Sequence, residues 1–260
     1  MSPPPARVTF LGTGTSHGVP MIGCDCRTCT SHDPRDQRLR PSIFVELPSG
    51  ATLLVDTAPD LRAQALRHRI RRVDGILFTH AHADHVLGLD ETRRFTSLQG
   101  GALPCYGSPD TVAEIRRVFA YAFRHVQEGG GVPRLDLVPV SGPFLAAGWP
   151  VIPIPILHGV LPIYGYRIGS FAYLTDCSEI PAGSWPLLHG VRTLVLDALR
   201  RRPHPTHFNV AQALEVVDRV RPARALLTHV SHDLAHEETT TGLPGGVELA
   251  YDGLMLEVEA

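Results

Sequence analysis

The sequence predicts an α/β protein built as a two-sheet sandwich with helices on its outside. Three observations carry that expectation. Apolar runs of strand length recur along all 260 residues. Helix-period segments are interspersed among them in both halves, the pattern of sheets covered by helices. Several of the strand-like runs stop on His or Asp, which puts chemistry-bearing side chains at strand ends. No repeat and no linker divides the chain, so residues 1–260 are read as one domain, large enough for a sizeable core at 43% hydrophobic content.

Composition excludes several function classes. The formal net charge is -2, and all 24 basic residues are Arg, with no Lys. No basic field advertises nucleic-acid binding. No run is long and apolar enough to span a bilayer, and Met1-Ser2-Pro3-Pro4-Pro5 lacks the basic start and apolar core of a signal peptide. Five Cys, three of them crowded together, argue for a reducing compartment, the cytoplasm.

The first strand is expected over Arg7 to Leu11. The Gly12-Thr13-Gly14-Thr15-Ser16-His17-Gly18 loop after it could cradle a phosphate on backbone N–H groups, or be a tight turn at a sheet edge. His17 faces either the site or solvent. Cys24-Asp25-Cys26-Arg27-Thr28-Cys29 places three thiols within six residues, suited to a structural zinc with a fourth ligand from elsewhere; the alternative is three reduced Cys in a turn. Ile43 to Leu47 and Thr52 to Val55 read as a hairpin around Pro48-Ser49-Gly50. Asp56, at the end of the second strand, could accept a hydrogen bond from a ligating His, cap a helix over Pro59 to His68, or do both.

Gly75 to Phe78 is a buried strand that runs into Thr79-His80-Ala81-His82-Ala83-Asp84-His85. His80 and His82 are one residue apart and point the same way, and Asp84 and His85 open a short helix. Imidazole and carboxylate together suit Zn, Mn, Fe or Ni. The number of donors suggests two adjacent metals, able to clamp an attacked phosphoryl or carbonyl group.

Ser108-Pro109 starts a helix expected to reach about Val126, and Gly129-Gly130-Gly131 breaks the chain. Strands follow over 135–140, 151–157, 163–168 and 171–174. His158 and Asp176 stand at the ends of two of them, as ligands or as cap and turn residues. Thr193 to Leu196 ends at Asp197. Arg200-Arg201-Arg202 is a solvated run, or lends one Arg to a substrate phosphate. His207 precedes a helix capped by Asn209 and could donate a proton or hold a phosphate oxygen. Ala223 to Leu227 is a last buried strand before His229, which suits the dinuclear site, and His232, which could complete the thiol set. Tyr251-Asp252-Gly253-Leu254 reads as a closing turn before a short strand.

The H-x-H-x-D-H stretch His80 to His85 is the signature of the metallo-β-lactamase superfamily. That resemblance implies an αββα four-layer sandwich with a dinuclear site along one edge of the two sheets. The whole chain further resembles the PhnP-type cyclic-phosphate phosphodiesterases. The matching pieces are Gly12 to Thr15, Cys24/Cys26/Cys29, His80 to His85, Thr206-His207, Thr228-His229 with His232, and Tyr251 to Leu254.

The resemblance implies the following roles. His80, His82 and His158 hold one metal; Asp84, His85 and His229 hold the other; Asp176 bridges them. Cys24, Cys26, Cys29 and His232 hold a structural Zn2+ in a small loop around 24–29. Asp56 supports a ligand, and His207 and Asp84 are the catalytic residues, His207 as general acid. The active-site metals are Mn2+, with Ni2+ or Zn2+ as substitutes. The family reaction opens 5-phospho-α-D-ribosyl 1,2-cyclic phosphate to ribose 1,5-bisphosphate in phosphonate breakdown. The expected partner is thus a small phosphorylated sugar, not nucleic acid or membrane, with a homodimer left open.

The same scaffold admits a tRNA 3′-processing endonuclease, a thioesterase-like hydrolase and a non-hydrolytic cofactor-biosynthesis protein. His17 and the Arg run receive no role from the resemblance.

Overall fold

Two seven-stranded sheets face one another in the computed structural model, which describes residues 4–124 and 131–259. The first sheet contains β1 (Ala6–Gly12), β2 (Ser42–Glu46), β3 (Thr52–Val55), β4 (Gly75–Leu77), β5 (Leu103–Gly107) and β6 (Leu135–Pro139). The second contains β7 (Phe144–Ala146), β8 (Trp149–His158), β9 (Leu161–Ile168), β10 (Phe171–Leu174), β11 (Thr193–Asp197), β12 (Arg224–Thr228) and β13 (Val247–Leu249). β14 (Met255–Val258) returns to the first sheet and pairs antiparallel with β1, Val8 opposite Leu256. The orders are β14-β1-β2-β3-β4-β5-β6 and β13-β12-β11-β10-β9-β8-β7.

The central strands are apolar on both faces because both faces are covered. β3 and β10 are buried at every residue. Between the sheets Val8, Phe10, Ile43, Val45, Tyr166, Tyr173, Val195 and Leu226 form one core. The outer face of the first sheet packs Leu54, Ile76 and Cys105 against α1 (Leu61–Arg67), α3 (Arg93–Gln99) and α4 (Pro109–Val118). The outer face of the second packs Leu174, Leu194 and Leu196 against α5 (Val210–Val220). Two short helices, α2 (Ala83–Val86) and α6 (His236–Thr241), sit near strand ends. The result is the expected αββα sandwich.

Some expectations change. The helix starting at Pro109 ends at Val118, and a 3-10 turn over Ala120–Phe123 follows. Its expected end near Val126 and the break at Gly129 and Gly130 lie outside the described residues. Asp56 caps no helix; Asp60 occupies the N-cap position of α1. Gly12 ends β1 and Gly14 bridges to Val230, so the turn falls at Thr15–Gly18; Gly14 N–H and Thr15 N–H are committed to the carbonyls of Leu39 and Val230 and are not free to cradle a phosphate. A Cβ at Gly12 would lie 2.0 Å from the Arg40 carbonyl oxygen, so only glycine fits there.

Behind this stretch lies Arg38, fully buried. Its guanidinium donates to Thr13 Oγ1 and to the Ala250 carbonyl, and lies 3.1 Å from His236 Nδ1. Asp252 accepts from Thr13 Oγ1 and from Leu39 N–H. Burial holds the Asp252 carboxyl up at about 6, and burial with Arg38 beside it holds His236 down at about 4.

Candidate metal centre

Every donor of the site leaves the end of a strand. β4 stops at Leu77, and Thr79 to His85 turn off it into α2. His158 is the last residue of β8, His229 follows β12 directly, and Asp176 follows β10 after Thr175. Asp56, Asp176 and His229 have φ values of +61°, +55° and +59°. Non-glycine residues in that region carry strain that surrounding structure must hold. Three such residues at three strand exits mark one functional edge.

His80, His82 and His158 form a triangle, with ring centroids 4.6, 5.6 and 5.1 Å apart. Asp84, His85, Asp176 and His229 form a second group whose donor atoms lie within 4.8 Å of one another. Asp176 stands between the groups. Its Oδ1 is 3.1 Å from His85 Nε2, and its Oδ2 is 3.3 Å from His229 Nε2 and 4.0 Å from His80 Nε2. Asp84 Oδ2 is 3.4 Å from His85 Nε2 and 3.8 Å from His229 Nε2.

Neighbouring groups fix the rings. Asp56 Oδ2 is 2.7 Å from His85 Nδ1, and its carboxylate also accepts from Thr79 N–H and Thr79 Oγ1, both at 2.8 Å. His158 Nδ1 lies 2.8 Å from the Thr206 carbonyl, to which it donates, so its Nε2 is left without a proton. Burial pushes His80 well below the usual imidazole range. Burial works the same way on His85, but Asp176, Asp56 and Asp84 outweigh it and raise the ring; Asp176 and Asp84 likewise raise His229, to about 9. Those histidines hold the Asp84 and Asp176 carboxyls well below the ordinary range against the burial that would raise them.

Do these residues fit metal ions? The Nε2 atoms of His80, His85 and His229 are buried, and although Asp176 oxygens lie 3.1–4.0 Å away, none is placed to make a well-directed hydrogen bond to them. A buried ring nitrogen without a partner costs about 1–3 kcal/mol unless a cation takes its lone pair. Three such nitrogens around two carboxylates are a donor set for divalent metals.

The thiols lie apart from this edge. Cys24, Cys26 and Cys29 Sγ are 3.1, 3.5 and 3.6 Å from His232 Nδ1. Two ligands on one tetrahedral Zn2+ stand ~3.5 Å apart, given Zn–S of about 2.3 Å and Zn–N of about 2.0 Å. The geometry suits a closed zinc site, and all five Cys are free of disulfides.

His207 adjoins the first site, 4.6 Å from His158 and stacked at 4.7 Å on His229, centroid to centroid. The Asn209–Gln212 capping box starts α5 immediately after it. Sequence reasoning missed its partner: Asp197 Oδ2 is 2.7 Å from His207 Nδ1. The signal was present, because Asp197 ends an apolar run just as Asp176 does. Burial and His229 push His207 down to about 3, and burial pushes Asp197 well above the carboxylate range. His17 is exposed on the Thr15–Gly18 turn, Arg200 ties down the carbonyls of Arg202 and Pro203, and Arg201 and Arg202 are exposed.

Residues 51–230 match the β-lactamase superfamily domain. A solved diphosphatase of the PhnP family is 45% identical, covers 97% of this chain and 96% of its own, and superposes with a TM-score of 0.91. The chain belongs to the PhnP family of the β-lactamase superfamily. An octanoyltransferase of Porphyromonas gingivalis is 39% identical over 252 residues, 95% of this chain and 51% of that protein. A ribonuclease Z of a Bradyrhizobium species is 34% identical over 147 residues, 55% of this chain and 42% of that protein. The chain spans about half the length of these curated relatives. Superfamily membership and the donor clusters together support a metal-dependent hydrolase. No helix among the described residues is long and apolar enough to cross a membrane.

Proposed function

We propose that the chain is a dinuclear-metal phosphodiesterase that opens a small cyclic phosphate, with 5-phospho-α-D-ribosyl 1,2-cyclic phosphate as substrate and ribose 1,5-bisphosphate as product. The observation that carries this reading is the position of Asp176, with one oxygen toward His85 and the other toward His229 and His80. A carboxylate so placed serves two cations at once. The end-to-end likeness to a PhnP-family diphosphatase supports phosphate chemistry in particular.

His80, His82 and His158 would hold one metal, Asp84, His85 and His229 the other, and Asp176 both. Mn2+ is the expected ion, with Ni2+ or Zn2+ able to replace it. Bound divalent ions supply Lewis-acid polarisation of phosphoryl oxygens and a water acidic enough to ionise near neutral pH. Asp56 and the Thr206 carbonyl hold His85 and His158 in ligand orientation. Water adds to phosphorus, one P–O bond to the sugar breaks, and the freed sugar oxygen takes a proton from His207. Asp197, whose carboxyl burial pushes well above the usual range, donates to Nδ1 and so leaves the ring's proton on Nε2 for the substrate. Cys24, Cys26, Cys29 and His232 would hold one Zn2+, and their free thiols suit the reducing cytoplasm.

The test is ³¹P NMR of the Mn2+-loaded protein with the cyclic phosphate. Loss of the cyclic resonance with growth of a second monoester is the expected result. An intact cyclic phosphate at full metal occupancy rules the reading out, and cleavage of precursor tRNA instead moves the chain to the ribonuclease Z activity.

A further inference from the structure

The edge that carries His207 opens on its far side into a cavity of about 250 Å³ that the proposed hydrolysis does not use. Its lining comes from three separate stretches, one of them Ser231–Asp233, which includes His232 of the thiol cluster. A second is the Thr15–Gly18 turn, closed by Gly18 N–H donating to Thr15 O at 2.7 Å, with His17 at its exposed tip. The third is the loop between β11 and α5, with Arg200, His204 and His207 itself. His204 stands one ring beyond His207, centroids 5.1 Å apart.

The donors in this cavity have no anion of their own. Arg200 is held rigid by two backbone carbonyls, at 3.3 and 2.9 Å. No carboxylate among the described residues lies within ion-pair distance of it. His204 Nδ1 accepts from Thr206 N–H at 3.3 Å, which puts the ring's proton on Nε2 and makes that atom a donor. The carboxylate in the lining, Asp233, pairs with Arg202 at 3.5 Å. A guanidinium pinned by neutral carbonyls keeps its full charge for a ligand. The volume lies below the roughly 300–1,000 Å³ of pockets for drug-sized ligands, so the occupant is small.

We propose that this cavity is a second anion subsite, which takes a phosphate monoester borne by the substrate while the metal edge takes the phosphodiester. His17, Arg200 and His204 are its donors. The inference rests on the phosphodiesterase reading above and adds substrate selection to it. A substrate with two phosphates then spans from the metals across His207 into the cavity. One lacking the monoester meets the same metals and the same His207 but leaves Arg200 unpaired.

Arg200→Gln and His17→Asn test this from two independent elements. The metal-loaded enzyme is assayed on 5-phosphoribosyl 1,2-cyclic phosphate and on ribose 1,2-cyclic phosphate. Each variant should raise KM for the phosphorylated substrate by about 10–100-fold, the loss of a charge-assisted hydrogen bond, with kcat nearly unchanged. Neither should change KM for the unphosphorylated sugar by more than about twofold. Equal losses on both substrates, or no loss on either, overturn the subsite. If the wild type opens neither cyclic phosphate, the phosphodiesterase reading has failed by itself. Calorimetric titration with ribose 5-phosphate then decides: affinity weakened by roughly tenfold or more in both variants supports the subsite, and unchanged affinity overturns it.

Discussion

Asp197 Oδ2 lies 2.7 Å from His207 Nδ1, a buried carboxyl group directed at a ring whose other nitrogen is free for the metal edge. In the proposed mechanism the pair serves a proton donor as Asp56 serves the ligand His85, at the same 2.7 Å. Removing the ring and removing its support should therefore differ in degree. His207→Ala should lower kcat by about 10²–10⁴-fold, the usual contribution of a general acid. Asp197→Asn should cost about 10–100-fold, because the ring remains but loses its fixed orientation. Both variants should keep the wild-type metal content by elemental analysis. A His207→Ala enzyme with wild-type kcat would remove the residue from the mechanism.

Asp56 is fully buried, and its carboxylate is spent on Thr79 and His85. Asp56→Ala should leave His85 free to turn and weaken active-site metal binding by about 10–100-fold. Competitive titration against a metal-sensitive dye measures this directly. Zinc content at the proposed thiol site should be unaffected, since Cys24, Cys26, Cys29 and His232 share no donor with Asp56.

The parts of the site that are local in sequence were legible in it. His80, His82, Asp84 and His85 fall within six residues, so spacing alone brings them together. His158, Asp176 and His229 were legible for another reason: each ends an apolar run, and strand exits in a sandwich gather at one edge. Asp197 obeyed the same rule and received no role, because only its ring partner, ten residues on, gives it one. Arg38 was not legible at all. Its partners Ala250 and His236 lie about two hundred residues away, and a lone Arg in a sequence looks like a surface residue. The return of β14 to the first sheet has the same character, since pairing with β1 joins the two ends of the chain.

The thiol cluster staples the 24–29 loop to the segment that follows His229. Its loss should therefore be felt at the metal edge as well as in stability. Cys29→Ser should lower bound zinc by one equivalent per chain and reduce the melting temperature. It should also weaken active-site metal binding several-fold, because His232 lies only three residues after His229. Zinc unchanged in the variant would show that the three thiols hold no ion.

His236 supplies a pH-dependence that is independent of either metal site. Burial, with Arg38 next in effect, holds its folded pKa at about 4, against about 6.5 in an unfolded chain. Between those values the unfolded chain binds a proton that the folded chain refuses. Stability is therefore full above pH 6.5 and is lost as pH falls from about 6.5 through about 4. Asp252, held up at about 6, acts in the opposite direction over part of this range, because there the folded chain binds the extra proton. A subtraction separates the two. His236→Gln keeps an acceptor for Arg38 but cannot titrate, whereas Asp252 is present in both proteins. The melting temperature of the wild type minus that of His236→Gln should fall steadily from pH 7 to pH 4, by about 2–4 °C for each kcal/mol lost. A flat difference would mean that His236 carries its proton in the folded protein, and that Arg38 faces a cation across 3.1 Å.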